Sequence, residues 1–220
     1  MYAMRAIDLE RPRGRFLFAT YRSVLETAKR RSATMRRVPS ARAPTASLSA
    51  ATDWRRPRTS SQLLAYLLGT WSVSKNLQYT RGGKSGTFAG EATFARLNGD
   101  ASIVSFVEEG TARLEPSGDT YDARQRLLYT ADGSTDGVRV YFDEHIGARD
   151  DTSSVVKGAR FFHDIQFDDA IDLGPFLHPC GPDMYRGKLA FDGESKFRLL
   201  WSVSGPRKLG VVTSTFCRLS

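Results

Sequence analysis

The feature that most limits the fold is the rhythm of residues 71–218. Short stretches of alternating apolar and polar residues recur there, each closed by a cluster of turn-forming residues. Nine stretches read as strands: Trp71–Tyr79, Thr87–Leu97, Ser102–Arg113, Tyr121–Thr130, Val138–Phe142, Arg160–Phe167, Met184–Phe191, Lys196–Val203 and Leu209–Arg218. Between them lie Arg81-Gly82-Gly83-Lys84, Asn98-Gly99-Asp100, Asp132-Gly133-Ser134, Asp192-Gly193-Glu194 and Gly205-Pro206. Gly, Asn and Asp reach the backbone angles that tight turns need. No long helical period separates the strands, which argues against a parallel α/β sheet. One short helix comes first. Ser60 or Ser61 can cap it, Leu63, Leu64, Tyr66, Leu67 and Leu68 carry it, and Gly69 ends it. The expectation is an all-β antiparallel sandwich or barrel over residues 60–220, with an extension over 1–59.

Charge divides the chain at the same place. The net charge is +8, but residues 1–60 hold 14 Lys and Arg against four Asp and Glu, while residues 61–220 hold 18 against 20. The basic character belongs to the extension. That argues against a folded domain that grips nucleic acid, whose charge would lie on the folded surface. Residues 27–52 contain six basic residues, no acid and 15 Ser, Thr or Ala. This is the composition of a mitochondrial transit segment; the alternatives are a disordered basic tail and a nucleic-acid-binding tail. Arg15–Arg31 can form a basic amphipathic helix ahead of it. Pro39, Pro44 and Pro57 make residues 39–60 read as a linker. The most apolar run, near Leu63–Leu68, is far short of the roughly 20 residues of a transmembrane helix. Cys180 and Cys217 are too few for a disulfide framework, and no secretory signal is visible. The expected location is intracellular, mitochondrial or otherwise cytoplasmic.

Two end features point to closure of the sheet. Gly69-Thr70-Trp71 stands where the helix passes into the first strand, and Arg218 ends the last strand. This resembles the calycin group, which includes lipocalins and fatty-acid-binding proteins. The resemblance implies an up-and-down barrel of eight to ten strands in which Trp71 packs beside Arg218 near a plugging helix. A guanidinium can stack on the indole and bond the open carbonyls of the helix end. That pairing requires an even strand number. Nine are visible, so a further strand is expected in Asp151–Gly158 or Ala170–Leu177, both long for loops.

Several motifs carry a closer resemblance. They are Leu68-Gly69-Thr70-Trp71, Phe88-Ala89-Gly90, Glu108-Glu109-Gly110, Arg126 with Tyr129, Val140-Tyr141-Phe142 and Phe161-Phe162-His163. The most specific are His178-Pro179-Cys180-Gly181-Pro182-Asp183-Met184-Tyr185 and Trp201-Ser202-Val203-Ser204-Gly205-Pro206-Arg207-Lys208. From about Leu63 to Arg218 the chain resembles the family called domain of unknown function 6314, with a longer insert between Phe142 and Arg160. The resemblance implies a calycin-like barrel and no particular activity.

The candidate ligand-binding residues are His163, His178, Cys180, Asp183, Tyr185, Glu108 and Arg126. His178, Cys180, Asp183 and Tyr185 lie within eight positions. They can form a polar cluster at the barrel mouth, or a packed loop-to-strand transition in which Asp183 bonds local backbone N–H groups. Their spacing does not suit zinc. His163 shares an alternating face with Phe161, Ile165 and Phe167, as a core residue, a ligand contact or a haem ligand; no covalent haem-attachment motif is present. Glu108 and Glu109 point to opposite faces, so one enters the interior and needs a cation such as Arg126 or Arg160. Arg81-Gly82-Gly83-Lys84-Ser85-Gly86 lacks the spacing and the following helix of a phosphate loop.

No catalytic constellation stands out. The leading expectation is a barrel that binds a small, largely apolar molecule. The alternatives are an accessory subunit of a larger mitochondrial assembly and an enzyme using His178, Cys180 or Asp183.

Overall fold

The computed structural model describes residues 54–131, 137–143, 159–167 and 172–219, together with the backbone of Asp8–Leu9. The expected transit segment, the helix over Arg15–Arg31, the turn at Asp132-Gly133-Ser134 and most of the insert before Arg160 lie outside the described residues. In chain order the elements are β1 (Asp8–Leu9), α1 (Ser60–Leu67), β2 (Gly69–Arg81), β3 (Gly86–Arg96), β4 (Ile103–Leu114) and β5 (Thr120–Ala131). Then follow β6 (Gly137–Phe142), β7 (Arg160–Gln166), β8 (Leu173–Cys180), β9 (Asp183–Phe191), β10 (Lys196–Ser204) and β11 (Leu209–Arg218).

Hydrogen-bonded neighbours run in the order β7-β6-β5-β4-β3-β2-β11-β10-β9-β8, all antiparallel. The first and last strands, β2 and β11, pair over their whole length, with Trp71 opposite Arg218. The sheet is therefore a nearly closed up-and-down barrel of ten strands. The short β1 lies against β5 at Ala123 and Arg124, beyond the stretch that β6 covers. Among the described residues, no backbone ladder joins β7 to β8.

The tenth strand is β8, which overlaps the second of the two stretches where parity required it, Ala170–Leu177, and runs on to Cys180. Pro175 and Pro179 give it the look of a loop, because proline cannot donate to a ladder. They are tolerated because β8 borders the seam.

Helix α1 plugs one end. Its N-cap is Thr59, whose side chain accepts from the Gln62 N–H, one residue before the caps expected from the sequence. Leu63, Leu64 and Leu67 are buried beneath it. Three open carbonyls at its C-terminus are taken. Trp71 Nε1 donates to Leu67 O at 2.8 Å, and the Arg218 fork donates to Leu68 O at 2.6 Å and Tyr66 O at 2.5 Å. The same guanidinium lies 4.1 Å from the Trp71 ring centre. Gly69, at φ +112°, makes the turn beneath Arg218; an added Cβ would come within 3.1 Å of its Nη1. Tyr66 reaches out to the β9–β10 hairpin, donating to Gly193 O at 2.9 Å. The chain is packed on the barrel from Trp54, whose ring lies 6.3 Å from that of Tyr66.

One strand departs from simple alternation. The β6–β7 register shifts between Val140 and Tyr141, so Phe162 is an extra residue on β7. Phe162, His163 and Ile165 are buried, whereas Phe161 is 48% exposed. The expected grouping of Phe161 with His163 on one face is thus corrected: the bulge turns Phe161 outward and Phe162 inward.

Candidate functional site

The inward side chains leave a cavity of about 80 Å³ in the barrel. Its walls are mainly aromatic, with Phe94, Phe106, Tyr129, Phe162, Phe176, Phe197, Trp201 and Phe216 among them. Polar groups enter at a few points: Lys75, Glu108, Gln125, His163, Ser214 and the tyrosines 79, 129 and 185. Such a mixture, mostly apolar with a few convergent polar atoms, is typical of small-molecule sites.

Strand alternation places these groups. On β2 the inward positions are Trp71, Val73, Lys75, Leu77 and Tyr79, so Lys75 is carried into the interior by the register of its neighbours. On β4 the same alternation brings in Phe106 and Glu108 and turns Glu109 outward to an exposed pair with Arg124. Lys75 Nζ bonds Glu108 Oε1. The cation of Glu108 is therefore Lys75, in place of the expected Arg126 or Arg160. Arg126 lies on the opposite face of β5 from Gln125, Leu127 and Tyr129 and sits 3.3 Å from Asp143. Arg160 covers the Phe142 ring at 4.0 Å. The sequence reading missed Lys75. Its signal was the period-two run through Trp71, Val73 and Leu77, which fixes the face on which Lys75 must fall.

Two residues that line the cavity, Glu108 and His163, each carry a buried polar atom with no hydrogen-bond partner among the described residues, Oε2 and Nδ1. Glu108 is 2% exposed and His163 3%. Leaving such atoms unpaired costs about 1–3 kcal/mol each, so a native interior rarely keeps them without a use. The His163 ring stacks on Phe176, with centroids 4.5 Å apart, and stands edge-on to Trp201 at 5.2 Å. Burial holds its pKa down at about 3, so the imidazole is neutral at ordinary pH.

The remaining candidates divide between cavity and frame. Tyr185 lines the cavity, and its hydroxyl accepts from Lys208 Nζ at 2.9 Å. Burial raises its pKa, so it stays protonated. His178 faces inward but does not line the cavity. Its Nδ1 is 2.8 Å from Phe162 O across the β7–β8 seam, which places the ring proton there as donor to the carbonyl. Its pKa is lowered, chiefly by burial. Asp183 opens β9, and its Oδ1 accepts from the backbone N–H groups of Arg207 and Lys208 at 2.9 and 3.0 Å. The carboxylate so ties the β8–β9 turn to the β10–β11 turn, uniting the two most specific sequence motifs. Cys180 is half-buried and free at the end of β8, and Cys217 is exposed and free. Among the described residues no group of His, Cys, Asp and Glu could hold a metal ion. None of the described helices is long and apolar enough to cross a membrane.

Comparison with known proteins agrees with this barrel. A search of curated proteins finds no match. Among solved structures the chain is similar to an S-type phycobiliprotein lyase from Guillardia theta, with TM-score 0.53 and 7% identity over 74% of this chain and 93% of that one. At that identity the likeness shows the fold alone. A redesigned β-barrel bound to DFHBI also matches, with TM-score 0.34 and 15% identity over 70% of this chain and 99% of that one. The model of a family described as a family of unknown function (DUF6314) matches residues 67–218, and this stretch holds the Trp71–Arg218 closure, the cavity and the Asp183 tie. The chain belongs to the DUF6314 family.

Proposed function

We propose that the barrel binds a small, largely apolar molecule in its interior. The observation that carries this reading is an aromatic-walled cavity with two buried polar atoms, Glu108 Oε2 and His163 Nδ1, that the described protein atoms leave unpaired. A barrel serving only as a scaffold would be expected to fill this space and pair these atoms. The size is restrictive. An apolar cavity on the order of 150 Å³ holds benzene. At about 80 Å³, this one takes a single ring only if the surrounding rings shift, and it does not take a macrocycle such as haem.

In this reading His178, Cys180 and Asp183 are frame residues. His178 stitches the seam, Asp183 holds two turns together and Cys180 packs at the end of β8. Arg126 belongs to the same frame through Asp143. The accessory-subunit alternative and the mitochondrial address rest on the basic N-terminal segment, outside the described residues.

The test is a titration of the full chain with toluene, followed by tryptophan emission, since Trp201 lines the cavity. A saturable change that disappears in Trp201→Phe, together with a small molecule retained in native mass spectrometry of the purified chain, is the expected result. No saturable change and no retained mass would overturn the reading.

A further inference from the structure

We infer that the molecule the cavity takes is neutral and carries an N–H or O–H donor that bonds Glu108 Oε2. This rests on the interior-binding reading and narrows it. Among the described residues that line it, the cavity holds one cation and one anion, Lys75 and Glu108, already bonded to each other through Oε1. They cancel as a pair. Lys75 Nζ is further occupied by the Phe88 ring, 5.0 Å from its centre.

A ligand anion, such as a carboxylate, would place a second negative charge beside Glu108 with only the shared Lys75 to offset it. A ligand cation would place a second positive charge beside Lys75. Either brings an uncompensated charge into an interior walled by Phe94, Phe106 and Tyr129, where the cost is several kcal/mol. A neutral ligand avoids this.

The directionality comes from Oε2. A carboxylate oxygen only accepts, so the atom it lacks is a donor hydrogen. Tyr129 has its pKa raised by burial and by the Glu108 charge, which locates that charge near the aromatic cluster of Phe94, Phe106 and Tyr129. A flat ring resting among these side chains can present its donor to Glu108. At the β7 wall, neutral His163 offers no countercharge to an anion, in keeping with the same ligand class.

The test compares four one-ring probes on the full chain by isothermal titration calorimetry: phenol, toluene, benzoate and benzylammonium. A second chain, Lys75→Met with Glu108→Leu, replaces the ion pair by apolar groups, an exchange that buried pairs often tolerate. In the parent chain phenol is expected to bind at least as tightly as toluene, with benzoate and benzylammonium undetected. In the double variant phenol falls about tenfold or more behind toluene, because its hydroxyl is then buried without a partner. If the double variant does not fold, the parent phenol-to-toluene ratio still decides, read against the ratio for their transfer from water to alkane. Phenol lagging toluene in the parent by that transfer ratio overturns the inference and leaves interior binding standing. Tighter binding of benzoate or benzylammonium than of phenol also overturns it. Failure of both phenol and toluene to bind removes the interior-binding reading and the inference with it.

Discussion

His163 shows how a single residue links the cavity to solution behaviour. Its pKa is about 6.5 in an ordinary setting and about 3 in the fold, because burial disfavours the imidazolium. Between those values the unfolded chain binds more protons than the folded one. The His163 contribution is therefore complete above about pH 6.5 and is lost as pH falls toward 3. His178, also shifted down, adds in the same direction. Replacing His163 by Phe, which preserves the stack on Phe176, should flatten the stability–pH curve from pH 7 to 4 by a few kcal/mol, measured by urea unfolding. An unchanged slope would mean that the ring is hydrated in the fold. At this scale the sequence was partly legible. Inward placement of Glu108, His163 and Tyr185 follows from strand alternation. The partner of Glu108 does not, because Lys75 reaches it from a strand that is not its neighbour: β2 and β4 are separated by β3. Pattern within one strand cannot show which side chains of non-neighbouring strands meet in the interior.

At the scale of elements, α1 is held by its end rather than by its length. Eight residues make a marginal helix in isolation. Burial of Leu63, Leu64 and Leu67 and the capture of three carbonyls by Trp71 and Arg218 fix it over the barrel end. Arg218→Lys keeps the charge but loses the fork and most of the stacking. We expect it to destabilise the chain by about 1–3 kcal/mol in chemical denaturation. A smaller variant effect would mean that Trp71 and the leucines suffice. The helix, Trp71 and Arg218 were readable because each role follows from a local residue type at an element end. β8 was not readable as a strand from its own residues, since Pro175 and Pro179 break its pattern; only the parity of the barrel required it. The β7 bulge was hidden for a related reason. Phe161-Phe162-His163 is apolar enough for either register, and pairing with β6 alone decides which Phe turns inward.

At the scale of the whole molecule, the described residues form a nearly closed ten-stranded barrel plugged by α1 at the end where β2 begins and β11 finishes. Among the described residues its wall is continuous through hydrogen-bonded ladders except at the β7–β8 seam, where His178 meets the Phe162 ring edge-on and His163 stacks on Phe176. The nearly closed topology was legible because the turn clusters and the paired end residues agree, and the odd count of nine visible strands itself called for a tenth. The interior void was not legible, because its volume depends on how rings from β4, β5, β7, β8 and β10 pack together. Interior binding requires that void to be open to a guest. Xenon, smaller than a benzene ring, enters apolar cavities on the order of 150 Å³ and is the least demanding guest for one of about 80 Å³. Crystals of the full chain under xenon pressure should show a bound atom inside the barrel, among Phe106, Phe176 and Trp201. An interior that takes up no xenon, with sites on the outer surface alone, would contradict the account.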